Sequence, residues 1–140
     1  MTTILASFHL GVMVADTGIN DGDRVWSGRK VWRHKGALLG FSGDYLEGEQ
    51  FLAWWKSGFK DEPPIFNHSE ALVLDCLGLT HFLGKTIPAN IARGVEAIGS
   101  GAKAAMAAFD SMHFTNPKRA VELACKYDNN SRKPVRLYRL

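Results

Sequence analysis

The sequence predicts one α+β domain in which two sheets pack together with helices on their outer faces. Three observations carry that expectation. Short runs of β-forming and apolar residues alternate with turn residues through the first third of the chain. Helical periodicity then appears once in the middle and twice toward the C-terminus. A strand pattern closes the chain, so the order is strands, helix, strands, two helices, strand, which layers sheets inside and helices outside.

Each element has its own signal. Thr3–Phe8 is rich in β-formers, with Gly11 as the following turn residue. Val12–Ala15 is a short apolar run suited to a buried strand. Asp16–Asp23 holds two glycines and an asparagine and reads as a turn-rich stretch. Val25–Trp26 and Lys30–Arg33 read as one strand kinked at Gly28, and Ala37–Phe41 as a continuous apolar strand ending at Ser42–Gly43. From Asp44 to Phe59 the period lengthens, with Asp44 as N-cap and Gly58 near the end, which predicts a helix. Pro63–Pro64 mark a loop, and Ala71–Cys76 with Leu79–Leu83 flank Gly78 as a hairpin. Val95–Ile98 is a further strand, and alanine-rich Gly101–Met112 is a helix. Pro117 opens a second helix to Tyr127, with Ala120, Val121, Leu123 and Ala124 at helical spacing. Val135–Leu140 is the last strand.

Composition bounds the function. A chain of 140 residues is one domain, and 46% hydrophobic with 22% charged residues is an ordinary globular balance. At this size about two-thirds of the unfolded surface is buried, enough for a core without disulfides or metal. No apolar run approaches the ~20 residues that span a bilayer, and the N-terminus has neither the basic nor the long apolar region of a signal peptide. A net charge of +3 gives no argument for nucleic acid. The two cysteines, Cys76 and Cys125, are too few for a disulfide framework and fit a reducing compartment. No membrane partner and a cytoplasmic location are the expectations.

Common chemistries lack their residues. The five histidines are never three or four apart, and neither cysteine has a CxxC partner, so no metal site is expected. G-x-G-x-x-G, the P-loop and G-x-S-x-G are absent. Trp54–Trp55 could form a ligand platform, but neighbouring positions on a helix face different sides, which predicts one in the core and one at an interface. The N-terminus is more informative. Removal of Met1 leaves Thr2 with a free α-amine, so a hydroxyl nucleophile and a base stand on one residue. An α-amine pKa of about 7.7–8.0 leaves a useful neutral fraction at cellular pH.

Met1–Ile4, V-A-D at Val14–Asp16, G-R-K-V at Gly28–Val31, G-F-S-G at Gly40–Gly43 and A-I-G-S-G at Ala97–Gly101 follow one another along the chain. Together they resemble the bacterial peptidase HslV and the proteasome β-subunits, through nearly the whole length. The resemblance implies the four-layer αββα sandwich of N-terminal-nucleophile (Ntn) hydrolases, in agreement with the element order. It implies a threonine endopeptidase with Thr2 as nucleophile, Asp16 and Lys30 as its charged partners, and Ser100, Asp128 and Ser131 as the residues that orient the amine. It assigns the oxyanion-hole N–H to Gly43. Arg132 stands where proteasome subunits have a glycine after the last serine.

No cofactor is implied. The partners implied are an unfolded polypeptide or peptide substrate, further copies of the chain in a closed ring, and an ATPase unfoldase. Two alternatives stay open in the sequence. One is a small-amide hydrolase on the same fold, which residues near Ile19, Phe41 and Tyr45 would decide. The other is a non-catalytic proteasome-like assembly subunit.

Overall fold

The computed structural model describes residues 2–21, 24–84 and 86–140. The N-terminal half builds β1 (Ile4–Ser7), β2 (Val12–Asp16), β3 (Gly18–Asp21), β4 (Arg24–Ser27), β5 (Val31–His34), β6 (Ala37–Ser42) and α1 (Tyr45–Lys56). The remainder builds β7 (Glu70–Asp75), β8 (Gly78–Leu83), β9 (Ile87–Asn90), β10 (Val95–Ile98), α2 (Ala102–Ser111), α3 (Pro117–Tyr127) and β11 (Val135–Arg139). A four-stranded sheet runs β10-β1-β2-β11 and a five-stranded sheet runs β5-β6-β7-β8-β9, while β3 and β4 form a separate hairpin. All described pairings are antiparallel.

The apolar runs explain the layers. In β1 every residue is buried, yet alternate side chains point to opposite faces. Ile4 and Ala6 join Met13, Val31, Leu38, Leu72 and Leu74 in the core between the two sheets. Leu5, with Val14, Val95 and Ala97, packs on the other side against Ala105 and Phe109 of α2 and Ala120, Val121 and Ala124 of α3. On the far face of the five-stranded sheet, Leu39, Ala71, Val73 and Phe82 meet Phe51, Leu52 and Trp55 of α1. The layer sequence is therefore helices, sheet, sheet, helix: the expected αββα sandwich.

Helix ends follow their capping chemistry. Asp44 accepts the backbone N–H groups of Leu46 and Glu47 at the start of α1. Asn116 accepts Arg119 N–H at the start of α3, with Pro117 in the first turn. None of the described helices is long and apolar enough to cross a membrane.

Two expectations need correction. Asp16–Asp23 is not all turn, because Gly18–Asp21 forms β3 and pairs with β4; residues 22 and 23 lie outside the described residues. The single kinked strand through Gly28 is two strands, β4 and β5, in different sheets. Of the two tryptophans, Trp54 is half-buried. Its ring packs edge-on against Phe51 and Phe59, and its Nε1–H donates to Asp61 O at 3.4 Å. Trp55 is in the core, so both tryptophans pack against their own chain.

Candidate active site

One end of the sandwich gathers the residues singled out by the sequence. In the four-stranded sheet the register pairs Ile4 with both Ala15 and Ile98, and Val135 with Asp16. The start of β1, the ends of β2 and β10 and the start of β11 therefore lie side by side. In the five-stranded sheet Ser42 pairs with Glu70, which joins the end of β6 to the start of β7.

Asp16 is the centre of the first cluster. Its side chain is buried, and Lys30 Nζ lies 2.9 Å from Oδ1 and 3.0 Å from Oδ2. Three backbone N–H groups also donate to it: Thr3 at 2.9 Å on Oδ1, and Gly18 at 3.1 Å and Arg132 at 3.0 Å on Oδ2. The carboxylate thus ties the N-terminus, the β3 entry, the β11 entry and Lys30 together. Arg132, in the glycine's place, serves through its backbone, so its side chain does not disturb that bond. Burial pulls the Lys30 ammonium below its ordinary range, and the adjacent Asp16 carboxylate works against that pull. Removing one member of such a buried pair strands the other, at a typical cost of about 3–5 kcal/mol.

Asp128 is the centre of the second cluster. It caps the C-terminus of α3, and its Oδ2 accepts the Ser100 hydroxyl at 2.7 Å and the Ser131 hydroxyl in a short bond. Ser131 Oγ also lies 2.5 Å from Thr3 Oγ1. Because the single Ser131 hydrogen goes to Asp128, the Thr3 hydroxyl must donate to Ser131. The chain of donors is Thr3 to Ser131 to Asp128. Burial works to raise the Asp128 carboxyl, but the Ser131 and Ser100 hydroxyls outweigh it and hold it below its ordinary value.

Thr2 and Thr3 run between the two clusters, and both are buried. The Gly99–Ser100–Gly101 turn is pressed against them. A Cβ on Gly99 would stand 2.0 Å from Thr2 O and 3.0 Å from Ser42 Oγ, and one on Gly101 would stand 1.9 Å from Thr3 Oγ1. Gly99 also has a φ of +92°, where side chains are strained. Both glycines are therefore needed for the N-terminal strand to seat. Gly101 N–H points at Thr2 O at 3.5 Å.

Gly43 lies at the turn between β6 and α1 with a φ of +136°. A Cβ there would fall 2.1 Å from Ser69 Oγ and 2.6 Å from Ser69 Cα, so only glycine brings the turn this close to the start of β7. Among the residues named for the small-amide alternative, Phe41 is in the core and Tyr45 is exposed at the first turn of α1.

The structure thus brings Asp16 and Lys30 into contact, joins Ser100, Asp128 and Ser131, and ties Thr3, the neighbour of Thr2, to both groups. Met1 lies outside the described residues. Sequence reasoning missed Thr3, which supplies both a backbone N–H and a hydroxyl; its signal was its place beside Thr2. Cys125 is close enough to feel the charges of Asp16, Lys30 and Asp128. Burial first, then the Asp16 carboxylate, push its thiol up to about 11, so it stays protonated and is no competing nucleophile at neutral pH.

This architecture is the fold of proteasome-β-like Ntn hydrolases. HslV from Trypanosoma brucei superposes with a TM-score of 0.78 and 18% identity, over 98% of each chain. Thiobacillus denitrificans BPH, solved in complex with epoxomicin, superposes with a TM-score of 0.73 and 14% identity, over 98% of this chain and 97% of that one. A Gly-1 mutant of Anbu from Hyphomicrobium sp. strain MC1 gives 0.71 and 14%, over 99% of this chain and 82% of that one. No family model matches the sequence, and no curated protein does.

Proposed function

We propose that this chain is a threonine endopeptidase of the HslV type, with Thr2 as nucleophile once Met1 is removed. The observation that carries the proposal is that Thr3, the neighbour of Thr2, bonds to Asp16 of the Asp16–Lys30 pair through its N–H and to Ser131 of the Asp128–Ser131–Ser100 cluster through its hydroxyl. Thr2 Oγ attacks the scissile carbonyl, and the Thr2 α-amine takes the hydroxyl proton, directly or through water. Lys30, held in place by Asp16, lowers the pKa of the hydroxyl and amine through its positive charge. Ser100, Asp128 and Ser131 orient the amine and the water. Gly43 N–H faces the oxyanion, a contribution of about 3–4 kcal/mol at sites of this kind. The amine returns the proton to the leaving nitrogen, and water hydrolyses the acyl-enzyme ester.

The same reading assigns the chain an unfolded polypeptide or peptide as substrate, a homo-oligomeric ring, an ATPase unfoldase as partner and a cytoplasmic location. A nucleophile enclosed by copies of its own chain meets only polypeptides that are fed in. The test has two parts. Intact mass of the purified protein should equal the chain without Met1, and a fluorogenic peptide should be cleaved by it but not by Thr2→Ala. Epoxomicin, with which BPH is in complex, supplies a probe: it should block peptide cleavage by the processed protein. A protein that keeps Met1 and ignores both reagents overturns the proposal.

A further inference from the structure

Two consecutive residues at the start of β7, Ser69 and Glu70, reach opposite sides of the site. Ser69 is buried, and its Oγ accepts Asp44 N–H at 3.0 Å. Its Cα and Cβ fill the space that a side chain at position 43 would need. Ser69 therefore fixes the Gly43–Asp44 peptide by one hydrogen bond and by contact. The loop before it is fastened to α1, since Glu47, whose carboxylate also interacts with the Ser69 hydroxyl, accepts both N–H and Nδ2–H of Asn67, at 3.0 and 2.9 Å.

Glu70 crosses between the sheets. Its Oε1 accepts Gly99 N–H at 2.9 Å, and its Oε2 lies 3.0 Å from His81 Nε2 on β8. A carboxylate accepting a backbone N–H makes a stronger bond than a neutral acceptor. His81 fixes the other oxygen, so the carboxylate has little freedom to rotate. Gly99 is the residue whose Cα stands against Thr2 O. Burial opposes the charge on Glu70, yet His81 and Gly99 N–H together hold its carboxyl below the ordinary value. Nothing in the acylation chemistry uses this carboxylate, and an exposed glutamate would serve the start of a strand equally well.

We infer that Ser69 and Glu70 are positioning residues that set the distance between the two halves of the active site: Ser69 holds the Gly43 oxyanion donor, and Glu70 holds the Gly99–Gly101 turn that seats Thr2. The inference depends on the reading of Thr2 as nucleophile and Gly43 as donor. Its physical basis is that β7 is a rigid central strand, paired on both sides, so one dipeptide on it gauges both turns at once. Displacements of about 1 Å in such a site can cost on the order of 100-fold in rate.

The experiment uses the processed full chain with a fluorogenic peptide, reading kcat and KM separately, with a thermal melt for each variant. Ser69→Ala and Glu70→Ala should each lower kcat by about tenfold or more, because they loosen groups that act in the transition state, and leave KM within about twofold. Glu70→Gln should recover most of the kcat lost in Glu70→Ala, because its amide oxygen can still accept from Gly99 N–H. Amide hydrogen exchange gives a readout independent of turnover. Exchange at Gly99 should accelerate in Glu70→Ala but not in Glu70→Gln, and exchange at Asp44 should accelerate in Ser69→Ala. Active wild type with wild-type kcat in both Ala variants overturns the inference and leaves the peptidase reading intact. So does a lowered melting temperature with unchanged kcat in the folded protein. Wild type that cleaves nothing overturns the peptidase reading, and the catalytic part of the inference with it; the exchange data then decide whether the dipeptide braces the two turns.

Discussion

Lys30 Nζ and Thr3 N–H share one acceptor: each lies 2.9 Å from Asp16 Oδ1. The ammonium is thereby fixed relative to the backbone that carries Thr2. Oδ2 is taken by Gly18 and Arg132, so the carboxylate cannot turn away from Lys30 without breaking two further bonds. Asp16 acts as a hinge pin between the N-terminal strand and the lysine, and the proposed chemistry needs both to move as one body.

The first prediction follows directly. Lys30→Ala should lower peptide turnover by at least about 100-fold, the low end of what one preorganised electrostatic group contributes. Lys30→Arg should not restore it. The guanidinium is wider than an ammonium and has a different donor geometry, and both Asp16 and Lys30 are buried. Steady-state kinetics on the three proteins decides this, and an Arg variant near the wild-type rate assigns Lys30 a structural role only.

Thr2→Ala should abolish turnover and leave the protein folded. Thr2 is 5% exposed, so it is not the loose chain end that its sequence position suggests. Losing its methyl and hydroxyl should still cost only about 1 kcal/mol, the value of roughly one buried methyl group. For a chain of this length that corresponds to a melting shift of about 4 °C. A calorimetric scan beside the peptide assay separates lost chemistry from lost fold.

Much of this was legible in the sequence, for physical reasons. The strands buried on both faces read as unbroken apolar runs, and Val95–Ile98 and Pro117–Tyr127 have the bounds their patterns predict. The Asp16–Lys30 pair was legible because V-A-D at Val14–Asp16 and G-R-K-V at Gly28–Val31 carry the family resemblance. What failed was weakly patterned. Residues 87–90 form an edge strand exposed at every position and containing Pro88, so no alternation marks it. Gly18–Asp21 has turn-forming composition and becomes a strand only by pairing with β4. Thr3, Ser69 and Glu70 gain their roles from contacts across long stretches of chain. The nearest sequence signal was the pair of glycines around Ser100, whose meaning is the space they leave for Thr2 and Thr3.

Assembly is a separate expectation. Multi-angle light scattering at micromolar concentration should give a homo-oligomer, since a ring encloses the proposed nucleophile. A species of 15.5 kDa that still cleaves peptides would refute the ring and leave the Thr2 chemistry standing.

Gly101 tests steric fit without a backbone penalty. Its φ is −89°, a value that any residue adopts. An added Cβ nevertheless meets Thr3 Oγ1 at 1.9 Å and Asp128 Oδ2 at 3.2 Å. Gly101→Ala should therefore cost about 1–3 kcal/mol, the usual range for overpacking, and should displace Thr3 from Ser131. Denaturant unfolding measures the first effect. Loss of activity beyond the loss of folded protein measures the second.

The last prediction concerns acid. Burial pushes the Asp128 carboxyl up, but hydrogen bonds from Ser131, Ser100 and Asn130 to its charged form together outweigh burial and hold it below its ordinary value of 3.8. A carboxyl depressed on folding stabilises the protein fully above its unfolded pKa. That contribution fades as pH falls through the folded pKa, because below it both states bind the proton. The window is therefore from about pH 4 downward, and neutral pH lies on the plateau. Asp128→Asn keeps an oxygen for the two hydroxyls but removes the charge. Its stability deficit against wild type should be constant from pH 5 to 8 and should shrink steadily below pH 4. Urea unfolding of both proteins across that range is the measurement. A deficit that stays level down to pH 2 would mean that Asp128 holds Ser100 and Ser131 by shape alone, and that its charge takes no part in tying Thr3 to the end of α3.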